Sequence, residues 1–134
     1  MGERVTTRNA GGYRVSASNG TSTIVLDATK ADGGEAQGLS PHETLLAALG
    51  ACTSMTLAIY ARRKQWPLEG VELTLERTPP PVGAGDVPER VAVDVRLLGP
   101  LDAAQRAKLL EIAQKCPVYR TLRSEIAIEE RLAS

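Results

Sequence analysis

The feature that most constrains this chain is one long helix signal between Ser40 and Trp66. Ser40-Pro41-His42-Glu43 combines a capping box with a proline at the first helical position. Arg62-Arg63-Lys64 closes the segment, where cations complement the helix dipole, and Trp66-Pro67 ends it. At about 1.5 Å per residue, such a helix is long enough to cross a small domain. Its apolar stripe recurs at three- and four-residue spacing and comprises Leu45, Leu46, Leu49, Cys52, Met55, Thr56 and Ile59.

The residues before this helix are predicted to form three strands. Arg4 to Arg8 is the first, and Tyr13 to Ala17 is the second because its apolar residues alternate. Asn19-Gly20 is a two-residue hairpin signal, since both residues tolerate the positive φ of a type I′ turn. The returning strand is then Thr21 to Asp27. The polar, glycine-rich stretch from Lys30 to Gly38 is predicted to be a mobile loop.

Two more strands are predicted after the helix. The loop between them runs from Pro79 to Pro88 and cannot enter a sheet interior, because proline has no N–H to donate. Gly99-Pro100 breaks the chain after the second of these strands. The alternating apolar residues are Val71, Leu73 and Leu75 in one strand and Val91, Val93, Val95 and Leu97 in the other.

A second helix and a last strand complete the predicted elements. Asp102-Ala103-Ala104-Gln105 has the form of another capping box, and Pro117 interrupts the helix directly after a cysteine. Val118 to Leu122 is predicted to be a short helical piece that leads into a last strand, with Ile126 and Ile128 inward. One face of the second helix comprises Leu109, Ile112, Ala113 and Cys116.

The predicted order is β-β-β-α-β-β-α-β, which is an α+β fold. We expect residues 1–134 to form a single domain, since the sequence has 134 residues and shows no repeat or low-complexity tract. The sequence has no phenylalanine and one tryptophan, so its core is built from aliphatic side chains. A thin core of this kind favours burial of further surface in an oligomer.

Charge and composition exclude several classes of protein. The 16 basic and 16 acidic residues balance, so no field attracts nucleic acid or an anionic membrane. No stretch is expected to reach the roughly 20 apolar residues of a membrane span, and Met1-Gly2-Glu3-Arg4 lacks the apolar run of a signal peptide. Two cysteines are too few for a secreted disulfide scaffold. We therefore expect a soluble cytoplasmic protein.

Two cysteines are the candidates for chemistry. Cys52 lies in the middle of the apolar stripe, and Cys116 lies on an apolar helix face just before a proline. A single cysteine in such a place is most often a buried core residue. If the two helices pack together, however, the thiols could reach disulfide distance, about 4.4–6.8 Å between Cα atoms. A reactive thiol must also become a thiolate, which needs a nearby cation because Cys52 is far from the helix N-terminus.

Arg8 and Arg14 of the first hairpin are the candidate cations, although each alone suits a solvated strand residue. Glu43 occupies the third position of the capping box, and nine residues at about 100° each place it opposite Cys52 around the helix. His42 lies about 80° from Cys52 by the same count. One histidine and two distant cysteines do not supply the four ligands of a structural zinc site, so no metal site is predicted.

Two segments together resemble a known family, the OsmC/Ohr superfamily. Residues 39–57, LSPHETLLAALGACTSMTL, are similar to its first-cysteine helix, and Cys116-Pro117-Val118-Tyr119-Arg120-Thr121-Leu122 is similar to its second-cysteine motif. The intervening residues 60–64 and 66–71 also fit. The resemblance covers nearly the whole chain in the same order of elements.

The resemblance implies an OsmC/Ohr-like fold that forms an intertwined homodimer, with long central helices against antiparallel sheets. It implies reduction of small-molecule peroxides, organic hydroperoxides especially, with hydrogen peroxide as a further substrate. By similarity, Cys52 is the peroxidatic cysteine, oxidised to a sulfenic acid. Cys116 then resolves that acid to a disulfide, and an external dithiol reduces the pair. No metal or bound organic cofactor is implied.

The sequence departs from the family pattern at one position. The family's catalytic glutamate lies ten residues before the first cysteine and holds an arginine over it; this chain has His42 there and the acid at Glu43. Arg8 is preferred to Arg14 as that arginine. Two other interpretations stay open. One is a dimeric protein that binds an apolar small molecule with little or no catalysis, and the other is a fold in which both cysteines only pack.

Overall fold

The computed structural model describes residues 2–133 and has an α+β fold. It divides into an N-terminal unit that ends at Ala47 and a C-terminal unit that begins at Ala48. The long predicted helix is present and runs through this boundary. The elements are β1 (Thr6–Asn9), β2 (Val15–Ser18), β3 (Thr23–Leu26), α1 (Pro41–Lys64), β4 (Gly70–Thr78), β5 (Arg90–Leu98), α2 (Ala103–Ala113) and α3 (Pro117–Arg123).

The N-terminal unit contains an antiparallel sheet in the order β1-β2-β3. The predicted hairpin between β2 and β3 forms, but its predicted two-residue turn is wrong. Ser18 pairs with Thr23, so four residues turn the chain, and of these Gly20 has a positive φ, 98°, while Asn19 does not. The Asn19 side-chain oxygen instead accepts the N–H groups of Thr21 and Ser22 at 2.9 and 2.8 Å. This asparagine-centred turn closes the longer loop.

A polar loop follows β3, as predicted, and the buried carboxylate of Asp27 accepts hydrogen bonds from both of its ends. Asp27 accepts the N–H groups of Ala28 at 2.8 Å and Gln37 at 3.1 Å. The Gln37 N–H is the main influence that lowers the pKa of Asp27. An isolated bridge between Leu26 and Leu39 then leads the chain toward α1.

Both ends of α1 are formed by local hydrogen bonds. The predicted capping box is confirmed: Ser40 Oγ accepts the Glu43 N–H at 3.2 Å, and Glu43 Oε1 accepts the Ser40 N–H at 2.8 Å. These bonds from Ser40 lower the pKa of Glu43. The helix has 24 residues and ends where Gln65 adopts the left-handed conformation, φ 58°. The Trp66 N–H then donates to the Ala61 carbonyl at 2.9 Å and satisfies one terminal acceptor.

The buried face of α1 differs from the predicted stripe. Met55 and Ile59 were expected to face inward but are 64% and 54% exposed. The strand β4 packs on a neighbouring face instead, where a Cβ added at Gly50 would lie 2.9 Å from Leu75 Cδ1. Cys52 is half-buried. The buried residues of α1 are Leu49, Gly50, Thr53, Leu57 and Ala61.

By length and composition alone, α1 could also cross a membrane. This corrects the expectation that no segment approaches the length of a membrane span. Among the described residues, α1 is the one helix with that length and composition. The core helix of a soluble protein has the same length and composition, so this property does not by itself imply a membrane span.

The C-terminal unit places the β4–β5 hairpin beside the helices that form its core. The predicted alternation of both strands is confirmed, since the register pairs Leu73 with Val95 and Leu75 with Val93. Apolar residues therefore share one face of this antiparallel pair. The core comprises Leu57, Ala61, Leu101, Leu109, Ile112 and Ala113, with Tyr60, Trp66, Leu68, Val71, Val95 and Leu97 packed against it.

The connection from β5 to α2 is tightly fixed. Gly99 has φ 127°, and a Cβ there would lie 2.2 Å from the Pro67 carbonyl oxygen. The Arg106 guanidinium donates to three carbonyls of this connection, those of Leu97, Gly99 and Leu101, at 3.0, 2.9 and 3.2 Å. This connection holds the start of α2, and with it the chain that leads to Cys116.

The end of α2 differs from its prediction, although its capping box from Asp102 to Gln105 is confirmed. The helix stops at Ala113, so Cys116 is not its last residue. Cys116 is the N-cap of α3, and Pro117 is the first residue of that helix rather than an interruption. Proline suits the first helical position because its missing N–H would have no partner there.

The predicted last strand is wrong. Across residues 2–133 the structure forms no strand after β5, and Ile126 and Ile128 are exposed instead of inward. A strand needs a neighbouring strand for its backbone groups, and this segment pairs with none of the described strands. The observed order is therefore β-β-β-α-β-β-α-α.

Candidate active site

The structure brings Cys52 and Cys116 together in the C-terminal unit. Cys52 lies in the middle of α1, Cys116 caps α3, and both are free thiols. Cys116 is fully buried, at 0% exposure, whereas Cys52 is partly accessible. Each sulfur is reached by a donor from the other cysteine's segment: the Val118 N–H, two residues after Cys116, donates to Cys52, and the Thr53 hydroxyl, one residue after Cys52, donates to Cys116. The two thiols are therefore neighbours, and Cys116 acts on the pKa of Cys52.

The Cys116 sulfur accepts two hydrogen bonds. The Tyr119 N–H donates to it at 3.1 Å in the first turn of α3. The hydroxyl of Thr53, from α1, donates to it at 3.7 Å. Two separate elements thus hold this buried sulfur.

The Cys52 sulfur accepts a hydrogen bond from the Val118 N–H at 3.5 Å. The hydroxyl of Thr56, four residues further along α1, also acts to lower the pKa of Cys52. An N–H group from the start of α3 therefore reaches each sulfur. Donors of this kind stabilise a negatively charged sulfur.

Burial nevertheless dominates at Cys52 and raises the pKa of its thiol. The Val118 N–H acts in the opposite direction, but the neighbouring Cys116 thiol adds to the increase. Of the described residues of the C-terminal unit, those that act on this thiol are neutral. A peroxide-reactive thiolate at Cys52 thus needs a positive charge from elsewhere.

The other predicted site residues all belong to the N-terminal unit. Arg8 lies in β1 and is exposed. Arg14 precedes β2 and helps to lower the pKa of Asp27. His42 is exposed in the first turn of α1, and Glu43 is the reciprocal partner in its cap.

A cavity of about 430 Å³ lies next to the residues that bind the Cys116 sulfur, although neither cysteine is among its lining residues. Thr53 and Tyr119, the two donors to Cys116, form part of its wall, as does Arg123, which donates to the Tyr119 hydroxyl at 3.1 Å. The volume is in the range of small-molecule pockets. Most of its wall is apolar and includes Leu49, Val91, Val93, Val95, Leu110 and Leu122.

Among the described residues, no group of three or more histidine, cysteine, aspartate or glutamate side chains could hold a metal ion.

The sequence model of the family described as OsmC-like protein matches residues 33–131, about three-quarters of the chain. This chain belongs to the OsmC-like family. The match includes the helix that carries Cys52 and the segment around Cys116. No functionally curated protein matches the sequence.

Solved structures show the same fold. An OsmC-like protein from Mycoplasma pneumoniae superimposes with a TM-score of 0.79 at 18% identity, over 92% of this chain and 88% of that one. An organic hydroperoxide resistance protein OsmC from Legionella pneumophila gives 0.69 at 20%, over 92% and 90%. The organic hydroperoxide resistance protein OhrB of Bacillus subtilis gives 0.63 at 18%, over 92% and 91%.

Sequence reasoning missed the donors around the sulfurs in this OsmC-like chain. The influence of Thr56 on Cys52 can be predicted from the sequence, because residues four apart share a helix face, although the apolar stripe of α1 includes Thr56 as an apolar residue. The contact of Thr53 with Cys116 could not be predicted from the sequence, since it depends on how two helices pack. The same holds for Val118 and Tyr119, whose N–H groups point at the sulfurs because α3 begins at a cysteine.

Proposed function

We propose that this OsmC-like protein reduces organic hydroperoxides with Cys52 and Cys116. The observation that carries the proposal is a pair of neighbouring free thiols, each bonded by an N–H from the start of α3, next to an apolar cavity whose wall includes Thr53 and Tyr119. The names of the Legionella pneumophila and Bacillus subtilis structures, both organic hydroperoxide resistance proteins, support a role in peroxide resistance.

Cys52 acts first in the proposed reaction, because it is the more accessible of the two thiols. Its thiolate attacks the terminal oxygen of the hydroperoxide, the O–O bond breaks, and Cys52 becomes a sulfenic acid. The alkoxide that leaves takes up a proton and departs as an alcohol. The sulfur is oxidised by two electrons and the peroxide is reduced by two.

Cys116 completes the proposed cycle. Its sulfur attacks the Cys52 sulfur, an S–S bond forms, and the S–O bond breaks. The oxygen leaves as water with the proton of the Cys116 thiol. An external dithiol then reduces the disulfide through a mixed disulfide and is itself oxidised to a disulfide.

The positive charge at Cys52 is proposed to come from Arg8. A guanidinium favours the thiolate and offsets the burial that raises the pKa of Cys52. His42 stands where the family has its catalytic glutamate, so it is the proposed partner of that arginine. Glu43 is assigned to helix capping, which its two bonds with Ser40 support.

The substrate is proposed to carry an apolar group. Valine and leucine side chains dominate the cavity wall, and burial of each methylene group contributes about 0.8 kcal/mol. A bulky alkyl hydroperoxide should therefore react faster than hydrogen peroxide, which gains nothing from this wall.

The active protein is proposed to be a homodimer of single domains in the cytoplasm. Met55 and Ile59 of α1 are exposed, as are Ile126 and Ile128, and a partner that covers them would bury an apolar surface. Two free thiols suit a reducing compartment. Light scattering should report about twice the chain mass of 14.3 kDa. A mass near that of one chain would contradict the dimer.

Two serine variants test the order of the steps. After one equivalent of an organic hydroperoxide, Cys116→Ser should stop at a sulfenic acid on Cys52 that a sulfenic-acid trap captures. Cys52→Ser should barely react. Intact-mass spectrometry reads both outcomes. Reaction of Cys52→Ser at the parent rate, with the trap on Cys116, would reverse the assignment.

The apolar cavity also favours a second candidate function, the binding of an apolar small molecule with little or no catalysis. Thiol counting separates the two. Rapid loss of both thiols after one equivalent of peroxide supports the peroxidase, whereas slow loss in the parent protein supports the binding protein.

A further inference from the structure

Thr53 uses its hydroxyl in an unusual way for a helical threonine. Such hydroxyls commonly bond to the carbonyl four residues earlier in their own helix. Thr44 and Thr121 do so here, with Ser40 and Pro117 at 2.8 and 3.1 Å. Thr53 instead donates to the sulfur of Cys116, 63 residues away in the chain. Its side chain is 4% exposed, so the hydroxyl has little access to water.

The contact ties Cys116 to the turn of α1 that carries Cys52. Thr53 directly follows Cys52, and its hydroxyl and the Tyr119 N–H hold the Cys116 sulfur from two elements. Rotation of the Cys116 side chain would break both bonds. The sulfur is therefore fixed in one orientation next to its reaction partner.

The segment that carries Cys116 has few other attachments. Every described residue of α3 is at least partly exposed. The start of α3 is joined to α1 by two sulfur contacts, one from Thr53 to Cys116 and one from Val118 to Cys52. Oxidation of Cys52 adds an oxygen to the sulfur of the second contact and leaves the Thr53 contact intact.

We propose that Thr53 is a positioning residue for the resolving step, holding the Cys116 sulfur in line for attack on Cys52. The inference rests on the proposed function for its physiological step, in which the S–S bond forms as the S–O bond breaks and water leaves. Thr53 forms part of the cavity wall, but its hydroxyl is bonded to Cys116 and takes no part in cleavage of the O–O bond in this scheme. It acts through Cys116.

The test compares Thr53→Val, which removes the hydroxyl at nearly constant shape, with Thr53→Ser, which keeps it. Rapid-quench mass spectrometry after one equivalent of an organic hydroperoxide gives separate rates for sulfenic acid formation and disulfide closure. Thr53→Val should close the disulfide about three- to tenfold more slowly, equivalent to about 0.7–1.4 kcal/mol, and this slowing should exceed any change in the rate of sulfenic acid formation, which reports on the cavity wall. Thr53→Ser should close at nearly the parent rate. Thr74→Val, the same exchange on the exposed face of β4, is the matched control.

A second assay does not depend on peroxide chemistry. An aromatic disulfide reagent forms a mixed disulfide on the accessible Cys52, and attack by Cys116 then releases a second coloured thiol. Thr53→Val should slow this second release and leave the first unchanged. If the parent ignores peroxide yet this slowing is seen, the proposed function fails and the positioning role stands.

Two results overturn the inference. One is closure by Thr53→Val at the parent rate in both assays. The other is an equal slowing of both steps, which would make Thr53 a residue of the core or of the cavity wall alone.

Discussion

Substitution of Gly99 by alanine should damage the C-terminal unit far more than most glycine substitutions. Gly99 has φ 127°, which L side chains rarely adopt, and the added Cβ would lie 2.2 Å from the Pro67 oxygen and 3.1 Å from the Glu69 nitrogen. These are backbone atoms and cannot rotate away as a side chain does. The chain after α1 and the chain after β5 must therefore separate.

The cost follows from two effects. A backbone held in a sparsely populated conformation costs about 1–3 kcal/mol. Separation of the two segments also weakens the bond from the Glu69 N–H to the Leu98 carbonyl, 2.7 Å long, which is worth about 0.5–1.5 kcal/mol. We therefore expect Gly99→Ala to lower the free energy of unfolding by about 2–4 kcal/mol.

Gly83 provides the matched control. It has φ 80°, but no described heavy atom lies within 4 Å of an added Cβ. Gly83→Ala should therefore cost about 1–2 kcal/mol, the conformational part alone. Equilibrium urea unfolding followed by the fluorescence of Trp66, the one tryptophan, measures both variants. A loss in Gly99→Ala no larger than that in Gly83→Ala would refute the argument from the backbone contact.

Three further predictions concern residues around the site. Glu43→Gln should keep the parent Tm and Glu43→Ala should lower it, because glutamine can still accept the Ser40 N–H. Loss of peroxide turnover in Glu43→Gln at an unchanged Tm would instead make the glutamate catalytic. In Arg8→Met, burial should be left as the main influence on the Cys52 thiol, so its alkylation rate should keep rising tenfold per pH unit beyond about pH 8.5, whereas the parent should level off at lower pH. The same profile in both proteins would exclude Arg8 as the activating cation. Arg106→Lys should lower stability to urea by about 1 kcal/mol, since an ammonium cannot reach all three carbonyls of the β5–α2 connection; an unchanged unfolding midpoint would show that those bonds contribute little.

Local signals predicted the parts of the fold that local interactions form. Both capping boxes and the pairing of β4 with β5 follow from residues close in sequence or from strict alternation. The predicted two-residue turn between β2 and β3 was wrong because the Asn19 side chain closes a longer loop than its type I′ propensity suggests. The predicted buried face of α1 was wrong because Gly50 lets β4 approach closely. The periodicity of apolar residues does not predict such a contact.

The sequence predicted the two cysteines of the candidate site but not the groups around them. Spacing and family motifs singled out Cys52 and Cys116, and the structure brings them together. The donors around them depend on the packing of α3 against α1 and on the position of Cys116 as a helix cap. A pattern that placed this cysteine at the end of α2 could not reveal that role.

The Cys116 sulfur thus meets two separate requirements. It is the hydrogen-bond acceptor at the N-cap of α3, and it is a thiol close to Cys52. Serine satisfies the first requirement and not the second, because its oxygen caps a helix well but forms no disulfide. A single change to serine should therefore remove the proposed thiol chemistry and keep the architecture. A chain that loses the proposed redox function in this way would still fold, and its cavity would be free to evolve toward a small-molecule ligand.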